Sequence, residues 1–438
     1  MSYAQQDLLA MTTPCNPIVI LGGGFAGTTL LKKLSRRLCR NQELILISEE
    51  SYSTFNPLLP EVVGASIFPA QVVAPIREMF PPSRNVRFIM GEVETINTTD
   101  KTLVCETLKG PHTINYDQLI LAVGSRAKLD LIPGMAEFAL PLKSVGDAVH
   151  IRNMVLRRIA RMELETDPIL LSSLGHFCII GGGFSGVEVA GELIDCLRQI
   201  CHYYPRVNPD HLSVSILQGP DRLLLELPEA LGHATADSLR RRGVKILLNT
   251  RAVEINSDCV TLADGSTLNA ATVISTIGTA TNKLIESLGL PINRGRLVTE
   301  MDFSVKGTDG LWALGDCAQV INSHDNEVCP PTAQFAVRQA AQLARNLLAH
   351  NKGKPTRPFA YRSQGAMAAI GHKKGIALVL GVHLSGLAAW LLWRAYYLLL
   401  MPTLGRKVRI FVEWTWGMFF RADITHLRFN RSTDNNPR

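Results

Sequence analysis

The sequence predicts an α/β chain: two copies of a strand–glycine turn–helix–strand unit, then an apolar, amphipathic C-terminal region. Three observations carry this. The hexapeptide Gly-Gly-Gly-Phe-Ala-Gly at 22–27 returns as Gly-Gly-Gly-Phe-Ser-Gly at 181–186. Each copy follows a short apolar run (17–21 and 175–180) and precedes a segment of helical spacing and a second apolar run (43–47 and 212–217), the pattern of a βαβ unit on a parallel sheet. Each copy closes on an apolar strand that ends in glycine, at Gly124 and Gly278.

At 438 residues the chain is long enough for two or three domains, and its 46% hydrophobic and 19% charged content allows a sizeable core. The net charge of +7 is a weak basic signal, with no cluster that calls for a nucleic acid; a membrane surface is the better partner. The nine cysteines contain no C-x-x-C and no disulfide or zinc spacing, which fits a reducing compartment and no metal centre. Residues 1–15 lack a secretory pattern and read as a disordered leader.

The first turn fits G-x-G-x-x-G at Gly22, Gly24 and Gly27, with Phe25 and Ala26 between the last two glycines. The first glycine permits the tight turn, the second lets the backbone approach a pyrophosphate, and the third lets helix and strand pack closely. The free N–H groups at the helix start then favour the phosphates. An acidic residue about twenty positions on is needed for the adenosine ribose. Glu49 is the candidate, with Glu50 as a competitor and Ser48 at the possible strand end.

The second turn repeats the spacing at Gly181, Gly183 and Gly186. Here Gln218, just after the strand 212–217, stands where a ribose-binding acid would. A neutral amide does not repel a 2′-phosphate, so NADPH is expected to be tolerated beside NADH. Arg222, close by, is a candidate partner for that phosphate, or a solvated surface arginine.

Two glycine turns, two strand-to-glycine closures and Ala-Leu-Gly-Asp-Cys-Ala at 313–318 resemble the pyridine nucleotide-disulfide oxidoreductase superfamily. The resemblance implies two Rossmann-like dinucleotide-binding domains, for FAD and NAD(P)H, and places Gly315 and Asp316 against the FAD ribityl and pyrophosphate. Residues 51–71 hold no cysteine, which disfavours the disulfide reductases. Phe-Asn-Pro-Leu-Leu at 55–59 is similar instead to the flavin-side segment of type II NADH dehydrogenases and implies a flavin contact at Pro57. In that branch Glu188, after the second turn, projects toward nicotinamide and flavin. The stretch from Thr332 to Ala340 resembles the quinone-site pattern Ala-Gln-x-Ala-x-Gln: Ala333, Gln334 and Ala336 match, and Arg338 replaces the second glutamine. The implied domains are 16–130 and 297–352 for FAD, 131–296 for NAD(P)H, and 353–438 for membrane association.

The C-terminal region supports that likeness. Residues 375–404 are strongly apolar, with Arg394 mid-run, Trp390, Trp393, Tyr396 and Tyr397 as interface-favouring rings, and Lys373, Lys374, Arg406, Lys407 and Arg409 as flanks. A helix lying in the membrane interface is expected rather than one that spans, with Trp414, Trp416, Phe419 and Phe420 as a second anchor. The resulting expectation is a non-proton-pumping NAD(P)H:quinone oxidoreductase, peripheral to the cytoplasmic face of a membrane, with a homodimer as an allowed assembly. The alternatives are a sulfide:quinone oxidoreductase, kept open by Cys329, and a non-catalytic flavin-binding redox sensor.

Overall fold

The computed structural model describes residues 16–38 and 41–427. The expected leader at 1–15, with Cys15, and Cys39 lie outside the described residues. The chain forms two compact units: Met1–Ser53, Ala74–Arg126 and Thr279–Ser363 make the first, and Thr54–Val73, Ala127–Gly278 and Gln364–Arg438 the second.

The first unit is built on a seven-stranded sheet. Its parallel part runs Leu311–Ala313, Gln118–Leu121, Ile18–Leu21, Leu44–Ser48, Val86–Asn97, and two antiparallel strands, Thr102–Thr107 and Gly110–Asn115, extend the edge. The central strands are buried on both faces, which is why they read as unbroken apolar runs rather than alternating ones. The helices Phe25–Leu34 and Ala333–His350 pack on each other, and Leu30, Leu31, Leu34, Ala340, Leu343 and Leu347 are all members of one core.

The second unit repeats the plan with a five-stranded parallel sheet: Ala139–Pro141, Thr272–Ser275, His176–Ile180, Ser213–Leu217, Val244–Leu247. The long helix Phe184–Ile200 follows its glycine turn. The segment 54–73, which the linear reading puts in the FAD domain, groups with this unit.

The C-terminal apolar run is not one helix. It begins as the strands Gly375–Val379 and Val382–Gly386, with Gly375–Val379 in the middle of a three-stranded sheet, antiparallel to Val382–Gly386 on one side and to Gly365–Ala369 on the other. The two-residue loop between them, Leu380 and Gly381, has positive φ at both positions (50° and 85°), the geometry that matches the twist of a hairpin. Helix begins at Leu387 and runs to Leu400, followed by Leu404–Trp416. Among the described residues no helix is long and apolar enough to cross a membrane.

Candidate dinucleotide and quinone sites

The first glycine turn has the physical properties a pyrophosphate needs. Gly22 sits at φ +109°, and a Cβ there would lie 2.3 Å from the Ala122 carbonyl oxygen. A Cβ on Gly27 would lie 1.9 Å from the Gly22 carbonyl oxygen, so that glycine allows the helix to meet the strand. Gly24 differs from both: nothing lies within 4 Å of an added Cβ. As N-cap of Phe25–Leu34 it offers no side chain to the first amide groups, which stay open to a ligand. Gly124, at the end of the neighbouring strand, also faces open space.

Gly315 closes the same region. Its added Cβ would meet Ala26 Cβ at 3.4 Å and Ala336 Cβ at 3.8 Å, so the Gly-Asp turn lies between the two helices. Its amide donates to Gln339 Oε1 at 2.8 Å, and Gln339 is buried. Gln339 was not singled out from sequence; its place one residue past the expected glutamine was the available signal. Asp316, half-buried in this turn, makes no side-chain hydrogen bond or ion pair among the described residues, which leaves its carboxylate for a ligand hydroxyl. Open turn, free amides and a free carboxylate in one unit fit an FAD pyrophosphate and ribityl chain.

The two copies can be aligned by hydrogen bonding. Gly22 N–H donates to Ile47 O at 2.8 Å, and Gly181 N–H donates to Leu217 O at 2.9 Å. Ile47 therefore matches Leu217, Ser48 matches Gln218, and Glu49 matches Gly219. Ser48, not Glu49, is the strand-end residue of the first copy, and Glu49 stands one position beyond. Burial, then Glu92 and Glu50, push the Glu49 carboxyl above its ordinary range.

In the second copy Gly181 has φ +113°, a Cβ on Gly186 would lie 1.8 Å from Gly181 O, and Gly183 again faces open space with no side-chain cap. Gln218 is buried, and its amide is spent internally: Oε1 accepts from Gly182 N–H at 2.8 Å and Nε2 donates to Arg222 O at 3.0 Å. Arg222 is likewise occupied. Its guanidinium donates to the carbonyls of Leu224, Leu225 and Leu227, so it stiffens a loop rather than facing a phosphate. Gly278 is packed, with Leu131 Cδ1 2.4 Å from an added Cβ, and so is closed where Gly124 is open.

Glu188 lies one turn into the helix Phe184–Ile200 and is 8% exposed. It does not project freely: Oε1 accepts from Ala369 N–H at 3.1 Å. Two more buried carboxylates join it in this unit. Glu192 accepts from Ser66 Oγ at 2.5 Å, and Glu61 accepts from Trp414 Nε1 at 2.7 Å. Desolvation raises all three, Glu192 to about 8. The counter-charge is Arg394, 3.8 Å from Glu61 and flanked by the rings of Trp390 and Trp414. The mid-run arginine of the apolar segment is thus an internal ion-pair partner.

Trp390, Trp393 and Trp414, expected at a membrane interface, are buried instead. They bind the helix pair to the rest of the second unit. The opposite face leaves Leu391, Leu399, Leu404, Val408, Phe411 and Trp416 exposed, and Phe419 and Phe420 with them. Pro57 lies in the short 3-10 turn Asn56–Leu58 of this unit, next to Phe55, whose ring packs edge-on against Tyr397 at 5.7 Å.

On the helix Ala333–His350, Thr332 caps the N-terminus and Ala333 opens it. Gln334 donates from Nε2 to Tyr361 Oη at 2.9 Å, and the Arg338 guanidinium lies 5.3 Å from the same ring. Tyr361 carried no sequence signal, but it accounts for Arg338: the cation stacks where an amide was expected. Cys329 is buried and its thiol is pushed up to about 11, so it is a poor thiolate; among the described residues every cysteine is unpaired.

The family model for pyridine nucleotide-disulphide oxidoreductases matches residues 16–340, which spans both glycine turns and the Gly-Asp turn. The chain belongs to the pyridine nucleotide-disulphide oxidoreductase family. Among curated proteins it is 30% identical over 412 residues to demethylphylloquinone reductase NdbB of Synechocystis, covering 92% of this chain and 96% of that one. It is 27% identical over 424 residues to the type II NADH:quinone oxidoreductase Ndh of Mycobacterium tuberculosis, covering 94% and 90%. Among solved structures, NDH2 of Plasmodium falciparum in complex with NADH shares the fold with a TM-score of 0.87 at 20% identity, over 94% of this chain and 99% of that one. The sulfide:quinone oxidoreductase of Aquifex aeolicus shares it less closely, with a TM-score of 0.70 at 16% identity, over 93% and 96%.

Proposed function

We propose that the protein is an FAD-dependent, non-proton-pumping NAD(P)H:quinone oxidoreductase, held at the cytoplasmic face of a membrane by its C-terminal helices. The observation that carries this reading is the pair of open glycine turns, one per unit, in a chain that aligns almost end to end with reductases named for quinones.

The first unit would hold FAD with the amides after Gly24, the open backbone at Gly124, and the Asp316 carboxylate. When bound, the flavin supplies a two-electron acceptor for hydride that can pass electrons on to a quinone. The second unit would hold the dinucleotide pyrophosphate at the amides after Gly183. Glu188, whose carboxyl burial pushes well above its ordinary range, supplies a buried polar group after this turn. Gln334 is fixed by Tyr361 and is the amide we assign to quinone or flavin contact. The exposed apolar face of the two C-terminal helices, with Lys373, Lys374 and Arg409 near it in sequence, suits an anionic leaflet that holds the quinone.

The test is steady-state oxidation of NADH with a soluble quinone, run beside sulfide as the donor. Turnover with NADH and none with sulfide supports the reading. Sulfide turnover without NADH turnover supports the sulfide:quinone alternative, and bound flavin with no turnover supports a redox sensor.

A further inference from the structure

We infer that Arg251 is the residue that recognises a 2′-phosphate on the adenosine ribose, so that the second unit is built to take the phosphorylated as well as the plain dinucleotide. The inference rests on the reading of the second glycine turn as the pyridine dinucleotide site.

The ribose end of such a site lies where the second strand of the unit ends, beside the glycine turn. Here that end is Leu217, fixed by its carbonyl on Gly181 N–H. A carboxylate just after it would bind the two ribose hydroxyls and repel a phosphate. The position holds Gln218, whose amide is turned inward onto Gly182 and Arg222 and offers the ribose neither charge nor a free group. Gly219 follows with no side chain at all. In the first copy its counterpart is Glu49, so the two repeats differ by a carboxylate at this point.

The space over Gly219 belongs to an arginine. An added Cβ on Gly219 would meet Arg251 Nε at 3.4 Å and Cγ at 3.5 Å, so this side chain lies across the glycine. Its backbone is held there by the end of the next strand, Val244–Leu247: Asn249 N–H donates to Pro220 O and Thr250 N–H to Gln218 O, each at 3.0 Å. The guanidinium is exposed, and among the described residues no carboxylate pairs with it and no hydrogen bond engages it. The arginine thus lies over the glycine two residues past the strand end of the dinucleotide unit. A planar cation with free donors at that place matches a phosphate dianion. Arg222, the nearer arginine in sequence, has its donors consumed by three carbonyls and is excluded from the role.

The test is calorimetric binding of 5′-ADP and 2′,5′-ADP to the purified full chain, its Arg251→Ala and Arg251→Lys variants, and Gly219→Glu, which restores the carboxylate of the first copy. Arg251→Ala should weaken 2′,5′-ADP relative to 5′-ADP by about tenfold or more, the loss of one charge-assisted contact. Arg251→Lys should recover part of the ratio, and Gly219→Glu should shift it in the same direction as Arg251→Ala. Equal weakening of both ligands by Arg251→Ala, or no change in either, overturns the assignment while leaving the dinucleotide site standing. Failure of the parent protein to bind either ligand overturns the dinucleotide reading and the assignment with it.

Discussion

Gly24 and Gly27 stand three residues apart and answer to opposite constraints. Gly27 is forced by the protein, because its Cβ would enter the Gly22 carbonyl. Gly24 has extended backbone (φ −78°, ψ −167°) that any residue adopts, and empty space where its Cβ would be. Close approach of a ligand to the backbone accounts for glycine there. Gly24→Ala should therefore leave the apoprotein unfolding midpoint within about 2 °C of the parent and weaken flavin retention about tenfold or more. Gly27→Ala should destabilise the apoprotein itself, by about 2 kcal/mol or more. Flavin content after dialysis and a thermal melt read both; equal melting losses in the two variants would remove the ligand argument. The glycine motifs were legible in the sequence because a backbone requirement names its residue. Tyr361, Gln339 and Arg251 were not, since each acts through contacts with segments distant in the chain. Arg222 misled for the same reason: sequence proximity to the turn says nothing of which carbonyls hold its donors.

At the scale of elements, the helix pair Leu387–Leu400 and Leu404–Trp416 is joined to the second unit by buried charge. Arg394 faces Glu61, and Glu192 and Glu188 lie in the same apolar surroundings. Burial, with Glu61 nearby, pushes the Glu192 carboxyl up to about 8 from an ordinary value of 4.5. A raised folded value means that the folded state holds the proton more tightly than the unfolded chain. The stabilising contribution is complete below 4.5 and is lost as pH rises through about 8. The parent should thus lose thermal stability between pH 5 and pH 8.5, and Glu192→Gln should lose less over the same range. Parallel melting curves for the two would show that this carboxyl is ionised throughout. Arg394→Met, which strands Glu61, should cost about 3 kcal/mol at pH 8 and less at pH 5, where Glu61 takes a proton more readily. The sequence showed an apolar run with aromatic rings and an arginine in the middle. It did not show that the tryptophans point inward, because helical spacing alone does not say which face a neighbour covers. The hairpin ahead of the helix was hidden by uniform hydrophobicity, with Gly381 as its one mark.

For the whole molecule, duplication is the organising fact. One strand–turn–helix design is used twice, and the copies diverge beside their glycine turns: Gly124 open against Gly278 closed, Glu49 against Gly219. The repeat was plain in the sequence, but the division of the chain was not fully so, since 54–73 joins the second unit through contacts with segments far along the chain. The exposed apolar face predicts membrane behaviour. Replacing Leu404, Val408 and Phe411 together by serine removes exposed apolar surface and no core, so the fold should survive while the partition coefficient for anionic vesicles falls about tenfold or more. Co-sedimentation that is unchanged would assign that face to another partner. The central claim, two turns for two different nucleotides, is tested most directly by anaerobic titration of the purified protein with NADH while flavin absorbance is followed. One FAD per chain, bleached by about one equivalent of NADH, is the predicted result. Protein that carries no flavin, or flavin that NADH leaves oxidised, would contradict the account.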